Sequence, residues 1–158
     1  MNDRLLRYDK KSVYVFIDCE TLNLCLNSCH NLPWQIAMIK CQNGKSGPDS
    51  EISDSKDFLI KWDTKLKISD DAARITRFSQ DKLDKLGKKP EEVFTTIREW
   101  LDESDYIVGH NVLGFDLYLI KELYKHFGLC YKHLVPKILD TNALARGIKT
   151  NFKYDKSS

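Results

Sequence analysis

Val13-Tyr14-Val15-Phe16-Ile17-Asp18-Cys19-Glu20 decides how the rest of the chain is read. Five apolar residues, rich in β-branched and aromatic types and without polar alternation, predict a central strand covered on both faces. The strand ends on two carboxylates one residue apart, and because strand side chains alternate, Asp18 and Glu20 point the same way. Paired acids at the end of an apolar strand are costly without a positive partner. A divalent cation is the natural candidate. A strand leaving into solvent, with the acids as turn residues, is the plain alternative.

Working outward, 158 residues with 42% hydrophobic content are enough for one domain with a real core. A net charge of +2 makes neither a strongly basic nor a strongly acidic protein. Lys10, Lys11, Lys82, Lys85, Lys88 and Lys89 could face phosphates, or simply form a solvated surface. Five cysteines, an odd number, and no secretory signal or membrane-length apolar run predict a reduced, cytoplasmic protein without a membrane partner. Cys25, Cys29 and His30 are close in sequence, but no C-x-x-C pair completes a zinc site. There is no internal repeat, Walker loop, nucleophile elbow, dinucleotide-binding glycine triplet or H-E-x-x-H.

Along the chain, 1–11 and 147–158 read as flexible ends, and Thr21 to Leu32 as a loop over the acids. A strand from Trp34 to Cys41 alternates Trp34, Ile36 and Met38 with Gln35, Ala37 and Ile39. A turn at Asn43-Gly44 leads through a Gly-, Ser- and Asp-rich stretch to a third strand, Phe58 to Trp62. Ser69 caps a helix from Asp70 to about Phe78, and Ser79 a short one ending at Gly87. Pro90 opens a clearer helix with Val93, Ile97, Trp100 and Leu101 on one face. Tyr106 to Val108 is a short strand, and Gly109-His110-Asn111 turns it into a helix capped by Asn111. On that helix Leu113, Asp116, Leu117, Ile120, Tyr124 and Phe127 share a face, and Gly128 closes it. Asp116 thus faces the core, and it needs a partner as Asp18 and Glu20 do. A hydrogen bond would satisfy it alone, and a shared metal would satisfy all three. Leu134 to Leu139 leads to Asp140-Thr141 and a last helix, Asn142 to Arg146. Three strands joined by turns, then helices alternating with strands, predict a mixed sheet.

Three stretches, Ile17-Asp18-Cys19-Glu20-Thr21, Ile107 to Asp116 (IVGHNVLGFD) and Leu139 to Arg146 (LDTNALAR), resemble in order and spacing the first two motifs and the following strand of the DEDD (DnaQ-like) 3′–5′ exonucleases. The resemblance implies an α/β, ribonuclease H-like fold: a five-stranded sheet, three strands antiparallel and two parallel, with flanking helices. It implies Asp18, Glu20 and Asp116 as catalytic metal ligands for two divalent cations, Mg²⁺ or Mn²⁺. It implies Thr21, Leu22, His110, Asn111 and Phe115 as substrate-binding residues, although Thr21-Leu22-Asn23 stands where many relatives have T-T-G. The implied partners are the 3′ end of single-stranded DNA or RNA, the nucleoside monophosphate product and, for a proofreading enzyme, a DNA polymerase. The third motif, with its fourth acid and general base, has no match, so 1–158 is expected to be a C-terminally incomplete single domain. Completion by another chain, or a module that binds nucleic acid or protein without hydrolysis, are the alternatives.

Overall fold

The computed structural model describes residues 12–22, 31–43, 50–63 and 68–154. The early loop with Cys25, Cys29 and His30, the turn after Asn43, and Lys10 and Lys11 lie outside them. Five strands form one mixed sheet, in the order β3-β2-β1-β4-β5. β1 (Val13–Thr21), β2 (Pro33–Asn43) and β3 (Ser50–Leu59) are antiparallel neighbours, and β4 (Tyr106–Gly109) and β5 (Ile138–Asp140) continue the sheet in parallel from β1. This is the five-stranded arrangement expected from the sequence.

The central strand departs from expectation in one respect. Val15, Ile17, Cys19 and Thr21 are buried, whereas Phe16 is 42% exposed and Asp18 is exposed. β1 is therefore covered on one face. Helices α3 (Pro90–Glu103) and α4 (Asp116–His126) both pack against it, and the core joins Val15 and Ile17 to Ile97, Leu101, Leu119 and Leu123. On the outer face Phe16 sits opposite Ile39, which is also exposed. The start of β1 is clamped by Asp105, whose carboxylate accepts from Val13 N at 2.7 Å while its own N–H donates to Val13 O at 2.9 Å.

Helices α1 (Asp70–Thr76) and α2 (Gln80–Leu86) begin where the serines predict, Ser69 accepting from Ala72 N and Ser79 from Lys82 N. Pro90 starts α3, which buries Val93, Ile97, Trp100 and Leu101 as its spacing requires. Other boundaries move. β3 begins at Ser50 and not at Phe58, because an edge strand paired only with β2 needs no continuous apolar run. α4 begins at Asp116, so Asn111 is not its cap: with φ 61° Asn111 turns the chain, and Leu113 is exposed. The buried face of α4 is Asp116, Leu119, Ile120, Leu123 and Tyr124. The last helix, α5 (Thr141–Tyr154), runs through Gly147, where a short helix and a polar tail were expected. A Cβ at Gly147 would meet nothing within 4 Å, so the residue costs the helix only its usual propensity penalty, about 1 kcal/mol.

The one-sided burial of β1 sets an expected contrast in urea unfolding. Ile17→Ala lowers stability by about 2–5 kcal/mol, the range for emptying a buried aliphatic site. Phe16→Thr, on the open face, changes it by less than about 1 kcal/mol. Equal losses from the two would show that both faces are packed.

Candidate active site

The sheet delivers its acids to one end. Asp18 and Glu20 project from the outer face of β1, Asp18 exposed and Glu20 half-buried. Pairing of β1 with β4 stops at Phe16↔Val108, so the backbone beyond has no strand partner on that side. Asp116, the first residue of α4 and 3% exposed, fills the gap: its Oδ1 accepts from Cys19 N at 2.8 Å. That bond places the Asp116 carboxylate against the peptide joining the two β1 acids.

The Asp18 charge acts on both of the other carboxylates. Burial pushes the Asp116 carboxyl up to about 6; the Cys19 N–H opposes the rise and the Asp18 charge adds to it. Glu20 is raised by burial and then by Asp18. Burial, followed by Asp116, lifts the Cys19 thiol well above its ordinary value, which makes Cys19 an inert core residue. Among the described residues no Lys, Arg or His forms an ion pair with Asp18, Glu20 or Asp116. Nor do any three His, Cys, Asp or Glu side chains converge as a formed metal cage among the described residues. The donor chemistry, all carboxylate oxygen and without a cation, nonetheless suits a hard divalent ion.

Thr21 and Leu22 follow the acids inward. Thr21 is 1% exposed, and its Oγ1 has no hydrogen-bond partner among the described residues. An orphaned buried hydroxyl is uncommon and marks a place where the fold tolerates a cost. Leu22 is buried with Trp34, Leu59 and Leu83 in a second, smaller core, so in this form it is closed to a ligand. His110, Asn111 and Phe115 all lie on the loop from β4 to α4. His110 and Asn111 are exposed, and Phe115 is half-buried against the main core. At the end of β4 a Cβ on Gly109 would stand 3.0 Å from Ile17 O, a close backbone approach that favours glycine, whereas one on Gly114 would meet only the Asn111 side-chain oxygen, which can move aside. Lys82, Lys85, Lys88 and Lys89 are exposed around and after α2.

Asp140 is the acid that the sequence reading passed over. Only 6% exposed at the end of β5, its Oδ1 accepts from Asn111 N, Asn142 N and Ala143 N, and its Oδ2 from Leu113 N. Burial pushes this carboxyl up, but the four N–H groups outweigh it and hold it below the usual range. The signal was available: an Asp immediately before a helical run of Ala, Leu and Arg is a capping pattern.

Comparison with known proteins adds the following. The family model described as Exonuclease (RNase_T) matches residues 15–157. No curated protein matches the chain. Among solved structures, exonuclease I in complex with the inhibitor BCBP is 18% identical at TM-score 0.71, covering 87% of this chain and 30% of that one. The metal-free form of an E. coli ExoI–ssDNA complex is 17% identical at TM-score 0.69, covering 86% and 29%. The zinc ion bound form of that complex is 20% identical at TM-score 0.61, covering 73% and 24%. At such identities the likeness is one of fold, and the chain spans under a third of those proteins.

Two measurements follow from the geometry. Thr21→Val replaces an unsatisfied hydroxyl with a methyl group and is expected to raise stability by about 1 kcal/mol in urea unfolding; a loss would mean that the hydroxyl has a partner. Asp116 ionises near 4 in the unfolded chain but near 6 when folded. The metal-free protein is therefore most stable below pH 4 with respect to this group and loses stability as pH rises through 6. The loss is about 3 kcal/mol in all. Asp116→Asn removes that segment of the pH–stability curve, and an unchanged curve would show that Asp116 is not the group responsible.

Proposed function

The chain belongs to the exonuclease family whose model spans residues 15–157, and from that membership we propose that it removes nucleotides from the 3′ end of single-stranded nucleic acid, DNA favoured, releasing nucleoside 5′-monophosphates. The observation that carries the reading is the gathering of Asp18, Glu20 and Asp116 at the end of β1 without a cation among the described residues to neutralise them. Perturbed acids of this kind concentrate at functional sites. Asp18, Glu20 and Asp116 would hold divalent cations, Mg²⁺ or Mn²⁺. When bound, such ions neutralise the acids and stabilise charge on the attacking and leaving oxygens of a phosphodiester.

The chain's own residues do the rest. The bond from Cys19 N fixes one Asp116 oxygen on the strand. Thr21 and Leu22 are assigned to the terminal nucleotide by the family resemblance; both are buried in this form, so contact with substrate requires the segment after Glu20 to open. His110, Asn111 and Phe115 approach the strand from the β4–α4 loop. A fourth acid and a general base are to be supplied by residues downstream of Ser158 or by another chain. A polymerase partner, with the domain proofreading for it, is an extension of the same proposal. A second reading, a module that binds strands without cutting them, draws on the lack of a formed metal cage among the described residues.

The test uses a 5′-labelled single-stranded oligonucleotide, DNA or RNA, with Mg²⁺ or Mn²⁺. The protein, as the 158-residue chain and with its natural downstream residues, is expected to shorten the strand from its 3′ end, more slowly in the shorter form. Asp18→Asn and Glu20→Gln each reduce the rate by about a hundredfold or more, and chelation of the metal abolishes it. Near wild-type rates in either variant would overturn the site assignment. Retention of intact strands by both forms would favour the binding module. In the same series Mn²⁺ raises the melting temperature of the wild type and not that of Asp116→Asn, as expected for an ion that binds only the folded site.

A further inference from the structure

The start of α5 makes a set of polar contacts with the β4–α4 loop that the site described above does not use. Thr141 Oγ1 lies 3.2 Å from Gly109 O and 3.1 Å from His110 Nδ1. Asn142 Nδ2 reaches Asn111 Oδ1 at 3.4 Å. Beneath them the Asp140 carboxylate takes backbone N–H groups from both segments at once, Asn111 and Leu113 from the loop at 3.0 Å each, Asn142 and Ala143 from α5 at 2.9 and 3.3 Å. The loop and the first turn of the helix are thereby one hydrogen-bonded unit.

We propose that Thr141 is a positioning residue that holds the His110 imidazole in its Nδ1–H tautomer, leaving Nε2 as a bare acceptor on the exposed side of the loop. The argument is a count of protons. A backbone carbonyl can only accept, and a threonine hydroxyl has a single proton. When that proton goes to Gly109 O, the oxygen's remaining lone pair faces His110 Nδ1, which must then donate. This arrangement satisfies all three atoms. The other tautomer sets two acceptors, Gly109 O and Nδ1, against one proton. The partner of one ring nitrogen thus selects the state of the other. Asp140 makes the selection durable, because its four N–H bonds keep the loop backbone and Thr141 in register.

The consequence is chemical. A bare Nε2 accepts from a hydroxyl, whereas an Nε2–H donates to a phosphate oxygen. His110 is accordingly set to meet a sugar hydroxyl of the bound nucleotide. This last step rests on the proposed function, and the tautomer does not.

The experiment separates the two. Long-range ¹⁵N–¹H correlation spectra of the 158-residue chain, recorded at alkaline pH, are expected to show His110 protonated on Nδ1. Thr141→Ser keeps that pattern, and Thr141→Val shifts His110 toward the Nε2–H form. An Nε2–H imidazole in the wild type overturns the proposal, as does a Thr141→Val spectrum identical to wild type. Should Thr141→Val not fold, the wild-type and Thr141→Ser spectra still decide it. Thymidine 5′-monophosphate with Mg²⁺ is then titrated in, and is expected to move the His110 Nε2 resonance. Its 3′-deoxy analogue binds about 2- to 10-fold more weakly, the worth of one hydrogen bond. If the tautomer responds to Thr141→Val but the nucleotide moves nothing, the nucleotide reading of the site fails and the role of Thr141 stands.

Discussion

A single buried hydrogen bond, from Cys19 N to Asp116 Oδ1, joins positions 97 residues apart and ties the start of α4 to the acid-bearing end of β1. It closes the backbone of β1 where the parallel ladder with β4 has run out. It seats the first turn of α4 against the central strand, and with it the face of Leu119, Ile120 and Leu123 that builds the core. The helix in turn favours a carboxylate at its first position, where the N–H dipoles converge. Packing and candidate site are thus joined: an apolar side chain at 116 would leave the Cys19 N–H unsatisfied.

Asp116 and Asp140 make an instructive pair. Both are buried acids at the end of an element, and desolvation is the largest influence on each. Asp140 receives four backbone N–H groups, and its carboxyl is held low; Asp116 receives fewer, faces the charge of Asp18, and rises. A carboxylate surrounded by donors has spent its lone pairs on the fold. One with fewer donors and a like charge beside it keeps a raised pKa, which is how two buried aspartates at element ends come to differ.

How much of this could be read from the residues varies by position. Ser69, Ser79 and Pro90 mark helix starts because capping is local, and the alternation from Trp34 to Ile39 fixes the faces of β2 for the same reason. Asp18 and Glu20 are visible as paired acids on one face, and Asp116 as a charge among apolar spacings, even though α4 starts four residues later than a cap at Asn111 suggests. What was hidden depends on distant elements. An unbroken apolar run cannot reveal that only one side of β1 is covered, and the polar start of β3 becomes a strand only because β2 lies beside it. The length of α5 is hidden because Gly147 reads as a helix end, although the helix continues through it to Tyr154. For Asp140 the capping of α5 is legible locally, but its bonds to Asn111 and Leu113, some thirty residues earlier, are not.

The placement of β4 next to β1 also has a consequence in time. Antiparallel β1 and β2 are close in sequence, but the parallel neighbour of β1 arrives only with Tyr106 and its clamp with Asp105, 92 residues after Val13. As the chain leaves the ribosome, the meander of β1, β2 and β3 can form early, while the side of β1 meant for β4 stays an open edge until most of the chain has been made. Open edges of apolar strands invite pairing with other chains, and ladders closed over such long separations form slowly. The nascent chain is therefore most exposed to misassociation in the interval between the third strand and the fourth, when a chaperone would have the most to protect.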